Sequence, residues 1–144
     1  MKIHFITVAM YQLFATNVLP TQVHSLIFSH SGATLLMSTA TGQVLLYEYP
    51  TLLPAHSVDA HASAALCLEL DPRGAHLAVG GSDAVMSIWD TSEWICMRTL
   101  RGMDAPVRSV SFSFDGAYIC AGTEQSDEAG SHDIEIVSFG RHLL

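Results

Sequence analysis

Positive charge is scarce in this sequence. One lysine and five arginines are scattered among fourteen acidic residues, and the formal net charge is −8. A face that grips nucleic acid needs clustered Lys and Arg to neutralise phosphates, so this balance argues against one. Cysteine is scarcer still. Cys67, Cys96 and Cys120 are odd in number, no pair has a C-x-x-C or metal-ligand spacing, and each lies in an apolar stretch. The expected state is three reduced core thiols in an intracellular protein.

Motifs that carry chemistry are also missing. Ser82 stands near His61 and Asp83, but no G-x-S-x-G elbow and no following helical pattern support a nucleophile there. Eight histidines include no H-E-x-x-H, and His56 and His61 are five apart on opposite sides of an expected loop. Gly80-Gly81 lacks a following Lys-Ser/Thr and reads as a tight turn rather than a phosphate loop. Asp127, Glu128 and Asp133 do not follow a calcium-loop order. No catalytic residue, cofactor or metal ion is therefore expected, and the chain is not expected to be an enzyme.

Long apolar runs are absent as well. Met1 to Leu19 is apolar with Lys2 near its start, and Phe5 to Met10 with Ala15 after it could be a signal peptide. His4, Gln12 and Asn17 interrupt the segment, and it is too short to span a membrane. The competing reading is a remnant strand, or a non-native segment, over residues 1–20.

What the chain does have is repetition. Phe28-Ser29-His30-Ser31-Gly32, Leu70-Asp71-Pro72-Arg73-Gly74 and Phe112-Ser113-Phe114-Asp115-Gly116 place their glycines at 32, 74 and 116, two equal steps of 42. The same step carries Leu26 and Phe28 onto Leu68 and Leu70, then onto Val110 and Phe112. Fixed spacing of this length marks repeated supersecondary units. Within each unit, alternating apolar residues broken by Gly, Pro, Asp and Ser turns predict short strands, and both strand faces are apolar enough to be buried between neighbours. Third strands are expected at Val44 to Tyr47 and Val85 to Asp90, outer strands at Pro54 to Val58 and Glu93 to Leu100, with Trp94 exposed or half-buried. In the third unit the strand Asp133 to Val137 comes six positions late, which leaves an acidic loop from Glu124 to His132.

The middle unit runs from Ala60-His61 to Trp89-Asp90 with Asp83 six positions before the Trp, and it resembles the WD-repeat family. That resemblance implies an all-β chain, a partial β-propeller of about three four-stranded blades near 21–60, 61–102 and 103–140, and a piece of a larger ring, since propellers have about four to eight blades. It also implies that His61, Asp83 and Trp89 belong to the family's structural hydrogen-bond network. Val79 occupies the second-strand position where the family's Ser or Thr is expected, so the network is expected to be partial. Leu19 and Met103 replace the histidine in the flanking units, and Thr41 and Gln125 replace the turn Asp.

Within the family the wording is similar to that of the WD-repeat subunits of the THO complex. The likeness rests on Val23 to Gly32, Gly42-Gln43-Val44, Tyr47-Glu48-Tyr49-Pro50, Asp71-Pro72-Arg73-Gly74, Gly81-Ser82-Asp83-Ala84-Val85, Ser87-Ile88-Trp89-Asp90 and Pro106 to Ser113. It implies a nuclear scaffold for protein subunits, acting in messenger-RNA packaging and export, with RNA reached indirectly. Glu124, Asp127 and Glu128 form the candidate partner-binding loop. The alternatives are a generic WD-repeat scaffold of another complex and an RNA-contacting propeller surface.

Overall fold

The computed structural model describes residues 1–7, 12–124 and 134–138. All regular elements among them are strands. β1 (Lys2–Thr7) and β2 (Gln12–Val18) form a hairpin. β3 (Val23–Phe28), β4 (Thr34–Thr39), β5 (Gln43–Glu48) and β6 (Pro54–Asp59) form one antiparallel sheet in chain order. β7 (Ala65–Leu70), β8 (His76–Gly81), β9 (Met86–Asp90) and β10 (Ile95–Leu100) form a second. β11 (Val107–Phe112), β12 (Tyr118–Thr123) and β13 (Ile134–Ser138) form a third. These are the blades of a partial propeller.

The 42-residue step survives in atomic detail. Inner strands begin at Val23, Ala65 and Val107, and the register of each with its partner slips at the same place, after the first residue. The first turn is also the same object three times over. The amides of Gly32, Gly74 and Gly116 bond to the carbonyls of Ser29, Asp71 and Ser113. Side-chain oxygens of those same three residues accept from the amides of Thr34, His76 and Tyr118 at 3.1, 3.1 and 2.9 Å. The glycines sit at φ 73°, 70° and 70°, a region closed to most L-residues, which is why the glycine recurs.

Alternation then decides the packing. In the central blade Leu68, Leu70, Leu77 and Val79 face Leu36, Val44, Leu46 and Val58 of the first blade. Cys67, Ala78, Met86 and Ile88 face Val107, Val110, Ile119 and Ala121 of the third. Successive side chains point to opposite faces, so a strand sandwiched between two blades must be apolar on both, and β8 is buried over Leu77 to Gly81.

Four expectations are corrected. Residues 1–20 are not a single remnant strand: they carry a hairpin, whose Ile3 and Phe5, with Leu19, pack on Val23, Leu35 and Met37 as a neighbouring blade would. Gly80 and Gly81 are not a turn but the end of β8, where a Cβ on Gly80 would lie 2.6 Å from both Cys67 Sγ and Val107 Cγ1. The outer strand of the central blade starts at Ile95, not Glu93, because Trp94 takes φ 55° in the preceding turn. Only Cys67 is a buried thiol; Cys96 is exposed and Cys120 half-buried.

Two outcomes follow. Ile88→Ala should cost about 2–5 kcal/mol in urea unfolding, as a fully buried aliphatic truncation does, while Ile95→Ala on the open outer strand should cost far less. Burial pushes the Cys67 thiol up to about 11 from its ordinary 9.0, against a smaller opposing hydrogen bond with the Gly80 backbone. The unfolded chain releases that proton first, so stability should be unaffected at neutral pH and fall as pH rises from about 9 to about 11. A Cys67→Ala variant should lose that part of the alkaline decline in melting temperature.

Candidate functional site

Three turns of chain meet at His61. The connection from β6 to β7 carries it, and the amides of Ala60 and His61 both donate to the Gly42 carbonyl at 3.0 Å. Any side chain at Gly42 would collide with the carbonyls of His61 and Ser63, so the connection lies directly on that turn. Asp83 comes from the turn between β8 and β9, next to Ala84 at φ 58°. Ser87 and Trp89 come from β9, where a spacing of two puts them on one face.

The network is complete. His61 Nδ1 lies 3.1 Å from both Asp83 carboxylate oxygens, Ser87 Oγ lies 3.0 Å from His61 Nε2, and Trp89 Nε1 donates to Ser87 Oγ at 2.8 Å. The indole N–H can only donate to Ser87 and the carboxylate can only accept from His61 Nδ1–H, while His61 Nε2 faces both the Ser87 hydroxyl and, at 3.2 Å, the Val79 carbonyl. The missing hydroxyl is therefore not at Val79, whose side chain is buried in the core, but on the next strand at Ser87. The signal was available in the sequence, because a hydroxyl two residues before the Trp must share its face.

Close approach is part of the design. A Cβ on Gly81 would overlap Asp83 Oδ1 and would lie 2.5 Å from His61 Nδ1, so glycine is required under the pair. Asp90, beside Trp89, caps its own turn: the Ser92 amide and hydroxyl each donate to it at 2.9 Å and hold its carboxyl below the usual range.

Asp83, His61 and Ser87 are connected as a nucleophile triad would be, but their setting is wrong for catalysis. Ser87 is 1 % exposed and the His61 side chain 1 % exposed. The Ser87 oxygen accepts the indole N–H and is buried, so no substrate can reach it. Ser82, the serine near the pair in sequence, bonds Ser63 Oγ at 2.9 Å instead. Among the described residues, no group of three His, Cys, Asp or Glu side chains could hold a metal ion.

In the first blade the equivalent positions, 42 residues earlier, are Leu19, Leu45 and Tyr47, and they pack together in an apolar cluster. Met103 takes the histidine position of the third blade and is buried too. Thr41, at the Asp83 position of the first blade, shares a hydrogen bond with the Thr39 hydroxyl at 3.0 Å, so a small hydroxyl pair and apolar packing stand there in place of the His61 bond chain.

Glu124 ends the described part of its loop; Asp127 and Glu128 lie outside the described residues. Its amide donates to the Pro106 carbonyl at 3.1 Å, as Ser82 does to Ala64 and Ala40 to Gln22 at 2.9 Å. These matching bonds put Glu124 at the same blade edge as the Asp59 to Ser63 connection. Its carboxylate pairs with Arg108 Nε at 2.5 Å, and both side chains are more than half exposed, so the pair adds little to stability.

Ser87→Ala leaves the Trp89 indole N–H without its partner and His61 Nε2 with the Val79 carbonyl alone, and should cost about 1–3 kcal/mol in urea unfolding. Combined with His61→Leu, which imitates the first blade, the two losses should fall short of their sum, because both variants break one chain of bonds.

The pattern of the family described as "WD domain, G-beta repeat" matches residues 53–90 and 94–128. THO complex subunit 3 of Arabidopsis thaliana is 34% identical over 103 residues, which is 72% of this chain and 33% of that protein. WD repeat-containing protein AAC3 of Dictyostelium discoideum is 32% identical over 93 residues, 61% of this chain and 20% of that protein. The chain therefore spans a third or less of the length of these relatives. Among solved structures, Kuenenia stuttgartiensis Hydrazine Synthase superposes with a TM-score of 0.82 over 95% of this chain and 40% of its own, at 16% identity, a likeness of fold alone. With two matched repeats, three stacked blades and the His61 to Trp89 bond chain, the protein belongs to the WD-domain, G-beta-repeat family.

Proposed function

We propose that this chain is a non-catalytic scaffold of a THO-type nuclear assembly, holding protein subunits in messenger-RNA packaging and export. The observation that carries the reading is the 34% identity with THO complex subunit 3 across 103 residues, which spans more than the generic repeat signature. Two features support it. The His61 and Ser87 side chains of the polar bond chain are buried, and the bond chain serves to fasten three turns together. The formal charge of −8 disfavours direct contact with a polyanion, so RNA would be recruited through basic partners.

His61, Asp83, Ser87 and Trp89 are read as the structural clamp of the central blade, and Glu124, with Asp127 and Glu128 beyond it, as the partner-facing loop. Blade boundaries near 21–60, 61–102 and 103–140 belong to the same proposal.

Affinity capture with the full chain should retain THO subunits, and charge reversal at Glu124 should weaken that capture without lowering the melting temperature. A parallel titration with single-stranded RNA at physiological salt should show no binding below the micromolar range. Submicromolar RNA affinity with a steep salt dependence, and no retained THO subunit, would replace the scaffold reading with that of an RNA-contacting surface.

A further inference from the structure

Between the first and second blades, on the side of the first turns, lies a groove of about 480 Å³. Its residues set it apart from the rest of an acidic chain. None is a carboxylate, while His30, His56 and Arg73 line it together with Trp94 and the hydroxyls of Ser31 and Thr34. The nearby carboxylates are already engaged or set apart. Asp71 accepts from the Ala75 and His76 amides and from His76 Nδ1, and Asp90 accepts from Ser92. Glu69 lies outside the lining, and its proton affinity is raised by burial and lowered less by His30. Arg73 is exposed and makes no ion pair with any described residue.

The groove is built by both blades. His30 Nε2–H donates to the Asp71 carbonyl at 2.8 Å and ties the first turn of one blade to that of the next. Trp94 holds a left-handed backbone at φ 55° while its indole packs against the core between the blades, and its ring lies 6.2 Å from that of His56. A large residue persists in that conformation only where surrounding contacts over-determine it, and such sites cluster where ligands are held.

We infer that this groove binds a peptide of a protein partner through a phosphorylated serine or threonine. The Arg73 guanidinium of the second blade, with the imidazole of His56 and the hydroxyl of Thr34 from the first, offers donors to a group with three acceptor oxygens. The Trp94 indole offers a flat apolar wall to the residues beside it. The occupant is a single phosphate on a peptide and not a nucleic-acid strand, because a continuous polyanion would leave the groove and run along the rest of a surface whose net charge is −8. The inference rests on the scaffold reading only in requiring a protein partner.

The test uses the full chain and fluorescence anisotropy with short degenerate peptides centred on phosphoserine or phosphothreonine. The same peptides unphosphorylated, inorganic phosphate and single-stranded RNA run beside them. Phosphorylated peptides should bind about tenfold tighter than unphosphorylated ones. Arg73→Ala should remove about that factor without moving the unfolding midpoint, since the side chain is exposed, and His56→Ala should act in the same direction. Equal binding of both peptide sets, an Arg73→Ala variant that binds as well as the parent, or a preference for RNA would overturn the assignment. Retention of THO subunits is read in a separate capture, so a scaffold without a phosphate groove and a chain that is no THO scaffold give different results.

Discussion

Burial of the central blade on both faces is the constraint from which the rest of this structure follows. A sheet exposes half its side chains on each side, and in the three inner strands both halves are covered: Leu68, Leu70, Leu77 and Val79 by one neighbour, Cys67, Ala78, Met86 and Ile88 by the other. Side-by-side stacking of this kind works only if the blades are copies in register, since a shift of one residue would turn each apolar set away from its partner. The recurring glycines at φ near 70° and the recurring register slip in the inner strands keep that register. Gly80 shows how tight the fit is, since even a methyl group there would meet the next blade.

Stacking fixes how blades lie against one another, and the polar bonds fix how the chain passes between them. His61 belongs to the connection from one blade to the next, Asp83 to a turn and Ser87 and Trp89 to a strand, so the bond chain ties three pieces that apolar packing would leave free to slide. Its burial is affordable only because every member has a partner; no buried side-chain nitrogen or oxygen among the described residues lacks one. Leu19, Leu45 and Tyr47, with the Thr39–Thr41 hydroxyl pair, show that the same corner can be closed without a histidine. The histidine version reaches further, since one ring spans from the Asp83 turn to the Ser87 strand. It leaves the loops above free to vary, which suits a scaffold whose partners differ while its frame does not.

Much of this was legible in the sequence, and the misses have physical causes. The step of 42 gave the blades because glycine at positive φ and apolar alternation both leave a trace in residue type. The network departs from the family's pattern at one member: Val79 stands where the hydroxyl is expected, and β9 carries it at Ser87, on the same face as Trp89 and two residues away. Gly80 and Gly81 looked like a turn because a local reading cannot see Val107 and His61, distant in sequence, pressing on them. The N-terminal hairpin was hidden by its apolar character, which suits a strand that covers a blade as well as it suits an exported leader. The groove beside Trp94 had no sequence signature, since its residues come from turns and strands scattered between Ser29 and Trp94.

Native-state hydrogen exchange tests the central claim most directly. If two-sided stacking of copied blades holds the fold, the amides of β8 should be the slowest to exchange, opening only with the whole arc, and those of the outer strand β10 should exchange much faster. Protection in β8 no greater than in β10, or blades that open one at a time, would contradict it.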